Sequence, residues 1–416
     1  MSRRSNSKVM AACQAAANNA YNNAALSGFR RLQSGPTLTS NFSSSTSFNE
    51  LATDLAARQI EHCLEAWSYA SQSLFALLSG NQNIAIHLAY YSEVRSANSL
   101  FASTGIAIKE HPNYYIGSSG QRRRLEAPTH KAIRKIWPDW CKRADAQEAF
   151  ESLKVAPSIS MGDISSSMGL SNSHQNSLLK WGYELIHFSG DHLSRNNASY
   201  NAYKIYDQIP PLDTQEHGEF VALIWEHLVS TGVSGQYRFE QLYAQYVIFC
   251  YCFDYARENE EHPDDEAFQA KYDEIIFSLN KTTGISEVTL RAVLYIEQKN
   301  DERFSLFELA SSPAVDAQNI IARAFILVRL ATNKLNSNLV QARCTNGFEW
   351  IATWLTEVGV IGEETTVEDV CGAAEDYLSS ALNVSKVPMR ELWKIRSQEA
   401  ATACRLDKSL CWGIEL

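Results

Sequence analysis

Glycine and proline are scarce, 19 and 10 among 416 residues, which argues against a turn-rich β-sandwich or barrel. Long apolar runs are missing too. The longest, Tyr246–Phe253 (YVIFCYCF), is far shorter than the ~20 residues that cross a bilayer, so no membrane partner is expected. Positive charge is in deficit, with 37 Lys and Arg against 47 Asp and Glu and a net charge of −10. That excludes a generally basic nucleic-acid coat and leaves only a local basic feature. The nine cysteines are odd in number and none shows C-x-x-C spacing. Neither a disulfide framework nor a zinc knuckle is indicated, and reduced thiols in a cytoplasmic protein are expected. The phosphate-binding loop, the dinucleotide glycine fingerprint, the H-E-x-x-H zinc motif and the serine nucleophile elbow are all lacking. No cofactor and no metal are expected.

What the chain does have is helical period. Hydrophobic residues make up 45% of it, enough for a sizeable core. Residues 1–46 form a separate case, Ala-, Asn- and Ser-rich, with Arg3, Arg4, Lys8, Arg30 and Arg31 and no acid. They read as a flexible basic arm. From there Ser47-x-x-Glu50 has capping-box spacing. Leu51, Leu55, Ile60, Cys63, Leu64, Trp67, Leu74, Leu77 and Leu78 fall on one helical stripe that Gly80 can end. A second helix is expected over about 83–103, with Gly105 beyond it, and the short GNQN connection makes the two an antiparallel hairpin. Residues 106–125 read as short strands at 106–108 and 114–116, then a Gly117–Gly120 turn into three arginines. Helix resumes near Thr129 and is interrupted at Pro138. A helix over 178–187 is followed by a break at Gly190. Pro210–Pro211 marks the clearest boundary, and everything after it alternates helix and short loop. The expectation is an all-α chain in two lobes, 47–209 and 210–416.

Candidate sites are few. His187 and His192 with Asp191 lack a third ligand and read as one capped, exposed histidine and one packed histidine. Pro263-Asp264 with Glu297-x-Lys299 has a nuclease-like spacing, but both segments read as helices instead of the adjacent strands such a site needs. Arg257–His262 lies in the acidic run ENEEHPDDE, which repels phosphate. Arg122, Arg123 and Arg124 follow a Gly-Ser-Ser-Gly turn whose amides can form an anion nest, and His130 lies six residues past Arg124. These four are the candidate phosphate or nucleic-acid contacts.

The most informative stretch is Arg195-Asn196-Asn197-Ala198-Ser199-Tyr200. Together with residues 87–106 (HLAYYSEVRSANSLFASTGI) it resembles the HEPN domains of bacterial conflict systems. That family is an all-α bundle, often an RNase, marked by Arg, a polar residue, a short spacer and His at a helix end. The resemblance implies a catalytic role for Arg195, Asn196 and the residue at the histidine position, here Tyr200. Arginine suits the phosphate and imidazole suits proton transfer at the ribose hydroxyl. A phenol, with a reference pKa near 10, is a poor base at neutral pH. The expectation is therefore a non-catalytic or catalytically reduced subunit or sensor of an antiviral assembly. The partners expected are other subunits or a second copy, with RNA or a nucleotide as ligand. The alternative is a metal-independent endoribonuclease.

Overall fold

The structure, a computed structural model, describes residues 48–108, 113–116, 122–125, 129–142, 144–170, 186–200, 216–229, 237–257, 265–296, 302–341, 351–352, 355–356, 374–387 and 397–412. The chain is mostly all-α, as its periodicity predicts. The basic arm 1–46, the Ser47 cap, Pro210–Pro211, His262, Pro263–Asp264 and Glu297–Lys299 lie outside these residues. No helix among them is long and apolar enough to cross a membrane.

Helices α1 (Phe48–Leu78) and α2 (Gln82–Ser103) form the expected hairpin. Gly80 sits at φ 74°, the left-handed conformation that closes a helix at little cost for glycine. Its amide and that of Asn81 bond the carbonyls of Leu77 and Ala76 at 2.9 and 2.8 Å. Asn81 then caps α2, its side chain accepting from the Ile84 amide at 3.2 Å. The whole apolar stripe of α1 is buried.

Three short antiparallel strands follow, β1 (Ile106–Ala107), β2 (Tyr114–Ile116) and β3 (Arg122–Arg124). The three arginines are thus a strand edge, with Arg122 opposite Ile116 and Arg124 opposite Tyr114. Next come α3 (Thr129–Trp140), which carries Pro138 in its last turn instead of stopping there, and α4 (Ala144–Glu151). A β4–β5 hairpin (Lys154–Ala156 and Ile159–Ser160) leads into α5 (Met161–Ser167).

Helix α6 (Ile186–Tyr200) corrects the sequence reading: it runs straight through Gly190. A Cβ at Gly190 would lie 3.1 Å from Val315 Cγ1, so the glycine serves close packing.

The remaining helices are α7 (Glu216–Leu228), α8 (Arg238–Arg257), α9 (Asp265–Thr283), α10 (Glu287–Val293), α11 (Ser305–Ser311), α12 (Ala317–Gln341), α13 (Ala374–Ser385) and α14 (Ser397–Ala403). Helix α12 is the spine, packing on both α1 and α2. Its Thr332 Oγ1 accepts from Trp67 Nε1 at 2.8 Å, and Asn338 Nδ2 donates to Gln59 Oε1 at 3.0 Å. One continuous apolar cluster takes in residues from Ala56 to Leu410. Helices from before and after Pro210–Pro211 therefore share one core.

Candidate functional site

Helices α2, α3 and α6 converge around residues 192–199 of α6. From α2 come His87, Tyr90 and Tyr91; from α3, His130 and Arg134; from α6, His192, Arg195, Asn196 and Ser199. The helical period explains each set. Residues 87, 90 and 91 are spaced i, i+3, i+4, as are 192, 195 and 196, while 130 and 134 are one turn apart.

Tyr90, fully buried, sits at the centre. Its hydroxyl is 3.0 Å from His130 Nδ1 and 2.9 Å from His192 Nδ1, so one phenol bridges two imidazoles whose ring centroids are 5.4 Å apart. Asn196 Nδ2 donates to His192 Nε2 at 3.1 Å. Arg195, itself buried, donates through Nη1 to Asn196 Oδ1 at 2.9 Å and through Nη2 to the Tyr91 hydroxyl at 2.7 Å. Its guanidinium also lies over the Tyr91 ring, 5.2 Å from the centroid. Tyr69 stacks on Tyr91 at 5.6 Å. His87 Nδ1 and Ser199 Oγ are 2.7 Å apart on the same side. Arg134 Nε is buried and has no hydrogen-bond partner among the described residues.

The electrostatics follow from burial and from the arginines. His130 is pulled down to about 4, first by desolvation and then by His192, Arg195, Arg134 and Arg95. His192 is lowered by burial, Arg134 and Arg195, and His87 by burial and Arg195. All three imidazoles are neutral at pH 7. The Tyr90 hydroxyl is pushed well up by burial and then by Glu93, against Arg195 and Arg134, so it keeps its proton.

Behind this cluster lies a buried ion triad. Arg323 of α12 donates to both oxygens of Asp191, Nε to Oδ2 at 2.9 Å and Nη2 to Oδ1 at 2.6 Å. It also reaches the carbonyls of Ser312 and Ala314. Glu93 Oε1 is 3.8 Å from Arg323 Nε. Burial, then the neighbouring Asp191 charge, hold the Glu93 carboxyl well above the usual carboxylate range, with Arg323 opposing. Glu93 keeps its proton, Asp191 balances Arg323, and the triad is neutral overall. Arg195, Arg134 and Arg95 are the cations whose charges act on the imidazoles, in a chain of net charge −10.

The structure brings together Arg195, Asn196 and His130, which the sequence put in two separate candidate sites. Tyr200 ends α6, but its side chain lies outside the described residues. Arg122 to Arg124 lie on β3, not on the helices that supply the cluster. Arg123 and Arg124 are exposed, and Arg122 lies over the Tyr114 ring at 4.8 Å. The residues sequence reasoning missed are His87, Tyr90, Tyr91, Arg134 and Ser199, and His192 appeared there only as a capped or packed histidine. One signal was present: His, Tyr and Tyr at i, i+3, i+4 on α2 is an unusually polar aromatic face for a buried helix. Among the described residues no three His, Cys, Asp or Glu side chains gather as a metal-ligand set.

No family model, curated protein or solved structure matches the chain.

Proposed function

We propose that the chain is an endoribonuclease that cleaves by acid–base transesterification without requiring a metal ion. His192 and His130 are the imidazole pair, and Arg195, with Arg134, holds the scissile phosphate. The observation that carries this reading is the meeting of two neutral imidazoles, 5.4 Å between ring centroids, beside the buried guanidinium of Arg195. RNA brings its own nucleophile, the 2′-hydroxyl. Its cleavage to a 2′,3′-cyclic phosphate needs only a base, an acid and a cation for the phosphorane charge. The stacked Tyr69 and Tyr91 beside Arg195 suit an unpaired base, and single-stranded RNA is the substrate class they favour.

The HEPN resemblance agrees with this reading, with one difference of detail. Its motif histidine is Tyr200 here, which is why a catalytically reduced subunit is the expectation from sequence. His192, on the N-terminal side of Arg195, and His130, from another helix, provide the imidazoles that the linear motif lacks. The test is cleavage of a single-stranded RNA oligonucleotide in EDTA by the full chain, with products assayed for 2′,3′-cyclic phosphate ends. Arg195→Ala, His130→Ala and His192→Ala should each lose ~10²-fold or more. Intact RNA after incubation with wild type, with RNA binding retained, would return the reading to a non-catalytic subunit.

A further inference from the structure

The hydrogen bonds around Tyr90 have a direction, and donor inventories fix it. A guanidinium only donates, so the Asn196 oxygen faces Arg195 and the Asn196 amide nitrogen faces His192. His192 Nε2 must then accept, and a neutral His192 carries its hydrogen on Nδ1. That hydrogen is donated to Tyr90. Of the two rings only His130 can then take the single Tyr90 proton, at Nδ1, which leaves neutral His130 with its hydrogen on Nε2. The chain Arg195–Asn196–His192–Tyr90–His130 is thus polarised end to end, with a lone pair at His192 Nε2 and an N–H at His130 Nε2.

Resting on the nuclease reading, we propose that Tyr90 is a proton relay through which the two histidines act as base and acid by exchanging tautomers. When a phosphate takes the donors of Arg195 and Asn196, His192 Nε2 is uncapped and accepts the proton of the ribose 2′-hydroxyl. The 2′-oxygen bonds phosphorus. His192 passes its Nδ1 proton to Tyr90, Tyr90 passes its own to His130 Nδ1, and His130 gives its Nε2 proton to the departing 5′-oxygen as the P–O5′ bond breaks. One proton enters, one leaves, and no side chain changes charge. Proton exchange with water at the two part-exposed imidazoles restores the resting tautomers. A relay of this kind accounts for catalytic histidines in a setting where Arg195, Arg134 and Arg95 oppose an imidazolium. The groups that bear on it are Glu93, Tyr91 and Arg95 of α2, Arg134 of α3, and Arg195 of α6; the Glu93 proton and the Asp191–Arg323 pair keep the face behind it uncharged overall.

The test has two independent arms on the full chain. Nitrogen-15 NMR of the RNA-free protein should find His192 protonated at Nδ1 and His130 at Nε2, a result that does not depend on activity. Either opposite tautomer would overturn the relay. In the second arm Tyr90→Phe, which keeps the ring, should lower kcat ~10²-fold or more with KM little changed. Wild type should show a rate that is level from about pH 6 to 8. Tyr90→Phe should show a rate that falls as pH rises over that range, because without the bridge it needs one imidazole charged and the arginines oppose that charge. A Tyr90→Phe enzyme with wild-type kcat and pH profile sinks the relay and leaves the nuclease reading intact. A wild type that leaves RNA uncleaved, or an Arg195→Ala variant as active as wild type, sinks the nuclease reading and the relay with it. If Tyr90→Phe fails to fold, the tautomer assignment of wild type still decides.

Discussion

Two arginine-bearing regions can be compared directly. Arg122, Arg123 and Arg124 are three consecutive cations on a strand, two of them exposed. Arg195 is a single cation, 8% exposed, with both terminal nitrogens committed to named acceptors. By charge count the strand is the stronger phosphate candidate. By geometry the helical cluster is, because a partly desolvated charge acts at a lower effective dielectric and holds a fixed direction. An exposed arginine is screened within ~10 Å at ordinary salt and must be ordered anew for each contact. Density of charge marks where a polyanion is attracted; a positioned charge with proton donors and acceptors marks where a bond can be broken.

That contrast depends first on the triad that anchors α6. Asp191→Ala should have the largest effect on stability, because it leaves Arg323 buried against carbonyls and a protonated Glu93. Breaking one side of a buried pair costs about 3–5 kcal/mol. Glu93 can lose its proton and take over part of the role of Asp191, which puts the single variant at the low end and Asp191→Ala with Glu93→Gln well above it. Urea denaturation of the three proteins measures this. Equal losses in the single and double variants would show that Glu93 does not compensate.

Next in size is a pH effect to which the cluster contributes through His130. His130 has a folded pKa of about 4, below its unfolded value near 6.5, so between those values the unfolded chain binds more protons. Stability therefore rises with pH across that window, is fully present above about 6.5, and falls on acidification toward 4. His130→Asn should flatten this slope when unfolding is compared at pH 7.5 and pH 5. An unchanged slope would mean that His130 is less shielded than the arginine-rich cluster implies. Nothing comparable is expected from the strand, which has no histidine.

How much of this was legible in the sequence differs between the two regions. The strand was easy to find because its three cations are consecutive, and pattern reading is local. The helix hairpin was legible too: the stripe from Leu51 to Leu78 and the glycines at 80 and 105 encode it by short-range rules. The cluster was not. His130 and His192 come from helices joined only by tertiary packing, and no linear spacing pairs them. Arg195 and Asn196 were found through the resemblance, but Tyr90 was invisible as a bridge because its meaning depends on two partners elsewhere in the chain. Gly190 misled for a physical reason: glycine lowers helix propensity, yet it sits where Val315 approaches the helix closely. Local propensity lost to a tertiary contact.

The smallest effect is expected from the strand itself, and it tests the comparison from the other side. Replacing Arg122, Arg123 and Arg124 together by Ala removes one cation–π contact, Arg122 over Tyr114, worth about 0.5–1 kcal/mol at a partly exposed site. The other two side chains are exposed, where such groups contribute little to folding. Stability should thus fall by no more than about 1 kcal/mol. If the strand gathers single-stranded RNA, each lost phosphate contact lowers the slope of log affinity against log salt by ~0.7, so the triple variant should lose about 2 from that slope. KM should rise at low salt and converge on wild type at high salt, with kcat unchanged. A fall in kcat would break the comparison, because it would make the strand part of the cluster's chemistry, while an identical KM at every salt concentration would remove the strand from RNA binding altogether.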